Sequence, residues 1–338
     1  MADLAISSAL LRGRDRAGYT LIDALVATAL IAVVGLFAIM ALTRGRESAR
    51  STTCQRNLSQ IGVGLSLYHA AQHALPMIGE PPPVEPPPAS GATNPGPLRT
   101  ILETLGVPSL LGVHPEGLNL DRLRGPLLVG VAVPGFFCPS DPHAIGGIFP
   151  SPVSYRATTG DDPEGRTGGF AIGRRTTLGE IEEADGVSYT AAFSERLVGD
   201  GRAVSSAENY ALIEGAVAAS GCSVTPKAEW RGDAGSSWEH ADWRSTLYNH
   251  AMLPGSKISC LARDGRSALI GASSGHTAGI HMLMFDGAVK RVVRSVDRRI
   301  WLDYGTMGEP SQPPPPPVVD QPKLKPPLDP RMTRPTPG

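Results

Sequence analysis

The stretch YTLIDALVATALIAVVGLFAIMAL occupies residues 19–42, and its 24 residues include one charged side chain, Asp23. As a helix rising about 1.5 Å per residue it spans a hydrocarbon core of about 30 Å. A secretory signal has an apolar run of about 7–15 residues followed by a small-x-small cleavage site, and this run is longer. The stretch is therefore expected to be a transmembrane helix and not an ordinary signal peptide. Flanking charge leaves its orientation open, because Arg12, Arg14 and Arg16 precede it and Arg44, Arg46, Arg50 and Arg56 follow it.

Outside that run the chain has no strong electrostatic character. Its 338 residues carry a net charge of −1 with 19% charged side chains, which excludes a protein that coats nucleic acid. Of the 32 prolines, 18 fall in residues 81–88 and 310–338, and the remainder has an ordinary globular composition. Aromatic residues make up 5%, four of them tryptophan, so there is little material for a large aromatic-lined pocket.

The junction Arg16-Ala17-Gly18-Tyr19-Thr20-Leu21-Ile22-Asp23 resembles the type IV prepilin cleavage and methylation site: a glycine, an aromatic, Thr-Leu-Ile, then an acid. The resemblance implies that a membrane peptidase cuts after Gly18 and that the new amine of Tyr19 is methylated. Tyr19 stands where phenylalanine is usual and Asp23 where glutamate is usual, and both keep the chemistry in kind. A peptidase reading extended backbone is served by a residue without a side chain at the cut. An acid at the bilayer centre costs roughly 2.5–3.5 kcal/mol, so Asp23 is expected to have a partner. The resemblance supplies one, the N-terminal amine of a neighbouring subunit. The alternative is that Asp23 snorkels to the interface.

Beyond Leu42 the helix is expected to continue over 43–75, because Cys54, Leu58, Ile61, Leu65, Tyr68 and Gln72 recur at spacings of three and four. Gly62 and Gly64 are expected to bend or fray its last turns, and Pro76 to end it. Residues 81–88 read as a solvated proline loop, 98–105 as a short helix and 127–138 as an apolar strand-like run. From there to 309, short segments punctuated by glycine and Asp-Gly argue for an antiparallel β-rich domain. Its clearest hairpin is Ile280–Phe285 and Ala288–Val293 around Asp286-Gly287, a pair suited to a type I′ turn. Residues 310–338 hold 12 prolines and read as a solvated tail.

Several segments in order resemble a large bacterial prepilin-like family of unknown function, domain-of-unknown-function family fifteen-fifty-nine. They are Cys54-Gln55-Arg56-Asn57-Leu58 through Tyr68-His69, then Phe137-Cys138-Pro139-Ser140-Asp141-Pro142 and Ser154-Tyr155-Arg156-Ala157. Ile181, Asp185-Gly186 and Ser194-Glu195-Arg196 follow, and the closing block runs from His276 over nine residues to Asp286-Gly287, then Trp301 and Gly305. Membership implies an α+β, pilin-like architecture: 1–18 a cytoplasmic leader, 19–42 the membrane helix, 43–75 its amphipathic continuation, 76–309 an extracytoplasmic domain and 310–338 the tail. It also implies associations with secretion machinery, and no established catalytic activity.

Four cysteines lie beyond the membrane run, where an exported domain meets an oxidising compartment, and they permit two disulfides in three connectivities. The expected pairing is Cys54 with Cys138 and Cys222 with Cys260; buried free thiols are the alternative. No two are close enough in sequence for a zinc knuckle, and no metal or other cofactor is expected. His276 and Asp286 could share a cation or a proton, but Asp286 with Gly287 is explained by its turn, and His276 by a hydrogen-bonding lock across the hairpin. Asp141 and Asp185 read as turn formers. Trp230, Trp238 and Trp243 with Tyr248 could stack on a sugar, though filling a thin core explains them better. Arg231-Gly232-Asp233 reads as a chance tripeptide in a loop. Signatures of hydrolase, nucleotide and zinc-peptidase chemistry are absent from the sequence. The resulting expectation is a non-enzymatic pilin or pseudopilin-like subunit at the inner membrane. Its partners would be the prepilin peptidase/N-methyltransferase and neighbouring pilin-like subunits; the alternative is an anchored module that binds a glycan or solute.

Overall fold

The computed structural model of the chain describes residues 21–84, 94–105, 131–225 and 228–308. The leader, the Gly18/Tyr19 junction, most of the proline loop, residues 127–130 and the tail lie outside the described residues. The chain divides into two compact units, residues 1–53 and 54–338. Helix α1, Leu21–Gln72, is continuous over 52 residues. In the first unit nearly all of its side chains are exposed, including Leu21, Ile22, Leu30, Ile31, Val34 and Phe37. This is the one helix among the described residues long and apolar enough to cross a membrane.

From Cys54 onward the same helix becomes one-sided. Cys54, Leu58, Ile61 and Leu65 are buried, Tyr68 packs on the core in part, and Arg50 and Arg56 stay exposed. Each buried leucine or isoleucine contributes about 1.5–3 kcal/mol. Gly62 and Gly64 lie within the regular helix and are buried, so the expected bending or fraying does not occur. A Cβ on Gly62 would stand 2.9 Å from Leu283 Cδ1 and 3.4 Å from the Gly287 Cα, so the glycine permits close approach to a hairpin. The helix stops at Gln72, short of Pro76. His73 takes a left-handed conformation at φ 54°, its N–H still bonded to His69 O, and Arg175 Nη2 donates to the Gln72 carbonyl. Leu75 is thereby turned into the core.

Among the described residues the second unit holds two sheets built from nine short strands: β1 Tyr155–Thr158, β2 Ala191–Glu195, β3 Tyr210–Ile213, β4 Glu229–Arg231, β5 Leu247–Tyr248, β6 Cys260–Ala262, β7 Ala268–Leu269, β8 Ile280–Met284 and β9 Val289–Val292. One sheet has the order β5-β1-β2-β8-β9 and the other β4-β3-β6-β7. Two pairings, β1 with β5 and β3 with β6, are parallel, so the sheets are mixed where the sequence suggested an antiparallel domain. Parallel neighbours need a long connection, and here they come from segments about 50 or more residues apart that carry no local signal. The described end of the strand-like run, 131–138, is also not a strand. It makes a 3-10 turn at Pro134–Phe136, where proline withdraws a donor and fixes φ.

Strand β8 is buried along its whole length. His281 and Leu283, two residues apart and so on one face, meet Gln55 and Gly62 of the helix. Its hairpin to β9 closes differently from the expected type I′ turn. Among the described residues His73 is the sole non-glycine with positive φ, so Asp286 does not adopt the left-handed conformation that type I′ demands. Gly287, at φ 87°, donates its N–H to Met284 O, and Asp286 Oδ1 accepts the Ala288 N–H. The aspartate thus acts through its side chain and the glycine alone supplies the left-handed residue.

Short helices complete the unit: α2 Pro97–Leu105, α3 Pro142–Ile145, α4 Leu178–Ala184 and α5 Arg298–Gly305. Thr177 and Glu180 form a capping box on α4. Beyond α4 the Gly186 N–H returns to Ile181 O, and Asp185 Oδ2 receives the Gly308 N–H at 2.6 Å. Trp301 of α5 stacks on His250 with centroids 3.9 Å apart.

Candidate functional site

Asp23 lies in the first turn of α1 and is exposed within an otherwise apolar segment. The neighbouring Gly18 and Tyr19 lie outside the described residues.

Two disulfides are present, Cys54–Cys138 and Cys222–Cys260. The first joins the start of the buried helical segment to the Phe137-Cys138-Pro139 segment, 84 residues later. The bond belongs to the main apolar core, and one side of it is polar. His276 Nε2 lies 3.3 Å from Cys138 Sγ and 3.4 Å from Glu195 Oε1. Glu195 Oε2 accepts the His281 N–H at 2.8 Å, and Oε1 lies 3.2 Å from His281 Nδ1. Gln55 Nε2 donates to His281 Nε2 at 3.0 Å, which leaves Nδ1–H to face the carboxylate. The two imidazoles meet edge to face at 4.8 Å. Glu195, His276 and His281 are all buried. Donor atoms of Cys54, Cys138, Glu195 and His276 lie within 4.8 Å of one another, the one such group of possible metal ligands among the described residues.

Burial alone would raise the Glu195 carboxyl. The hydrogen bonds from His276 and His281 outweigh it and bring the carboxyl down to about 2. The site therefore contains a fixed carboxylate against an imidazole pair. Sequence reasoning placed His276 but assigned no role to Glu195 or His281. The available signal was an ionisable residue in a mostly apolar strand, at the end of AAFSE and within IHMLM.

His276 and Asp286 do not form a joint site. Asp286 is exposed at the hairpin turn, where it also accepts the Ser188 hydroxyl at 2.7 Å. The His276 ring locks onto β2 and the disulfide, while its carbonyl accepts Arg294 Nη2 from beyond β9 at 3.0 Å. Asp141 is a buried hub as well as a turn former: it accepts the N–H of His143, Ala144 and Val198 and the Ser154 hydroxyl. Burial still pushes its carboxyl up against those four donors.

Trp238, Trp243 and Tyr248 are core residues, with Trp238 against Phe136 and its Nε1 donating to Val131 O. They present no ring face to a sugar. Trp230 is half-buried on a second apolar cluster around Cys260. Arg231-Gly232-Asp233 begins inside β4 and is used internally: Arg231 pairs with Glu229, the Gly232 carbonyl accepts from Gly201, and Asp233 accepts the Tyr210 hydroxyl. A surface cavity of about 580 Å³ lies beside residues flanking Cys222, where Arg263 bridges Glu214 and Glu229 at 2.6 Å to each.

Among known proteins, the model of a family described as protein of unknown function (DUF1559) matches residues 43–299. Comparison with curated proteins and with solved structures returns no match.

Proposed function

The chain belongs to the DUF1559 family of proteins of unknown function, and from that premise we propose that it is a pilin or pseudopilin-like structural subunit. In this reading a prepilin peptidase/N-methyltransferase removes residues 1–18 at the inner membrane. The mature chain then associates through its membrane helix with neighbouring pilin-like subunits of a type II secretion-like or type IV pilus-like assembly.

One observation carries the proposal. The prepilin-like junction runs into a helix whose residues 21–42 are apolar and nearly all exposed, with one acid in the first turn. An isolated anchor has no need of that acid, whereas head-to-tail assembly uses it as the counter-charge to the next subunit's amine. Two disulfides fit a domain that matures in an oxidising compartment, and so outside the cytoplasm. The reading assigns the chain no catalytic step and no nucleic-acid partner.

Mass spectrometry of the mature N-terminus tests processing. We expect N-methylated Tyr19; a chain still starting at Met1 in cells that contain the peptidase would overturn the proposal. Assembly is tested by Asp23→Ala, expected to be cleaved normally yet to lose in-membrane cross-links to its neighbours. Unchanged cross-linking would favour the anchored binding module, for which the cavity beside Cys222 is the place to look.

A further inference from the structure

The polar shell of the Cys54–Cys138 bond is not needed to keep a disulfide. Both bonds pack in apolar clusters, Cys54 and Cys138 in the main core and Cys260 among Ala211, Val217, Ala251, Ala262 and Leu269, but among the described residues only the first has an imidazole against its sulfur. Burying a carboxylate and two imidazoles is costly unless their charges and hydrogen bonds are satisfied, yet His276 and Glu195 stand beside the first bond with His281 behind them. They also converge. His276 Nε2 faces Cys138 Sγ at 3.3 Å and Glu195 Oε1 at 3.4 Å. In a tetrahedral zinc site, metal bonds of about 2.3 Å to sulfur and about 2.0–2.2 Å to nitrogen and oxygen put sulfur and nitrogen about 3.6 Å apart and nitrogen and oxygen about 3.4 Å apart. Those separations are already nearly in place with no ion between them.

We propose that reduction of Cys54–Cys138 converts this cluster into a closed four-ligand site for a zinc-class divalent cation, held by Cys54, Cys138, His276 and Glu195. A dithiol delivers two electrons and two protons, the S–S bond breaks to two thiols, and the dithiol is itself oxidised to a disulfide. The cation then replaces the two thiol protons, which pass to solvent, the His276 proton moves from Nε2 to Nδ1, and the cation binds two thiolates, the freed Nε2 and the carboxylate. His281, through its backbone N–H and its ring, holds the carboxylate in place as a second-layer partner of the metal. The ligands come from the helix, the segment before α3, the end of β2 and the loop before β8, which is why no metal-binding spacing appears in the sequence. In the oxidised chain the disulfide ties the first two of these segments together; in the reduced chain the cation ties all four. Nothing in this inference depends on pilus assembly.

The test uses the full-length chain in detergent carrying Cys222→Ser and Cys260→Ser, so that one cysteine pair remains. After reduction by a dithiol and its removal under inert gas, the protein is titrated with Co2+. We expect one equivalent to bind with the visible bands of tetrahedral cobalt and a sulfur-to-cobalt charge-transfer band, both displaced by Zn2+. His276→Ala should abolish the tetrahedral bands, and His281→Ala should weaken binding by about 10–100-fold. X-ray absorption of the zinc-loaded chain, which needs no variant in the shell, should show two sulfur and two nitrogen or oxygen neighbours. The proposal is overturned by a metal shell without sulfur, by tetrahedral bands that survive His276→Ala, or by a reduced chain that takes up no cobalt whether or not it stays folded.

Discussion

Glu195 and His250 give the folded chain a two-step response to acid. Burial lowers the His250 imidazole to about 4, against the smaller opposing effect of its bond to the Trp301 carbonyl. The folded state therefore prefers it neutral. That preference is fully present above about pH 6.5 and is lost as the pH falls to about 4, because the unfolded chain takes up the proton first. Glu195, held at about 2, adds stability that is complete above about pH 4.5 and lost toward pH 2. Each step is on the order of 3 kcal/mol. Urea unfolding between pH 7 and 4 should show the first step, and His250→Gln should flatten it while lowering stability at pH 7; an unaltered slope in that variant would refute the assignment. Residues such as these are the hardest to assign from sequence. A histidine two residues after a tyrosine looks like surface until the Trp301 ring is found stacked on it from 51 residues away.

Among the elements, the part of α1 from Cys54 to Gln72 was legible, because three- and four-residue spacing reports a buried stripe directly. The role of Gly62 was not legible, since helix propensity sees only its cost and not the hairpin beneath it. Gly62→Ala asks only that the end of Leu283 move aside, whereas Gly62→Leu should lower stability by about 1–3 kcal/mol through overpacking. Equal thermal melts for Gly62→Leu and the parent chain would contradict the close approach. The β8–β9 hairpin was legible from an Asp-Gly pair between two apolar runs, but its turn type was not, because that dipeptide serves two turn families. The parallel β1–β5 and β3–β6 pairs could not be read at all, since no local pattern encodes a partner so distant in sequence.

For the whole molecule, composition separated a membrane-length segment from a globular one, and the globular one is self-sufficient in its core. Every buried residue of α1 lies at Cys54 or later. A chain beginning at Arg44 should therefore be soluble without detergent and melt cooperatively, with both disulfides formed. Loss of cooperative unfolding in that shortened chain would show that the N-terminal part of α1 contributes to folding of the domain. Family membership agrees with this division, since the match begins at residue 43, just past the apolar run.

The covalent link at Cys54 also has a mechanical meaning. Cys54 is the first residue of the domain's unit and the first buried residue of the helix. A pull on the chain from its N-terminal side enters the domain there and meets a sulfur–sulfur bond before any apolar contact. Without the bond, tension would peel the helix away turn by turn, opposed by the burial of Leu58, Ile61 and Leu65 and by the hydrogen bonds of Gln55 and Asn57. With it, force passes to the Cys138 segment and the sheet behind it, and the helix stays seated. A single-molecule stretch should show the domain yielding in one high-force event when oxidised and in several weak ones when reduced in metal-free buffer.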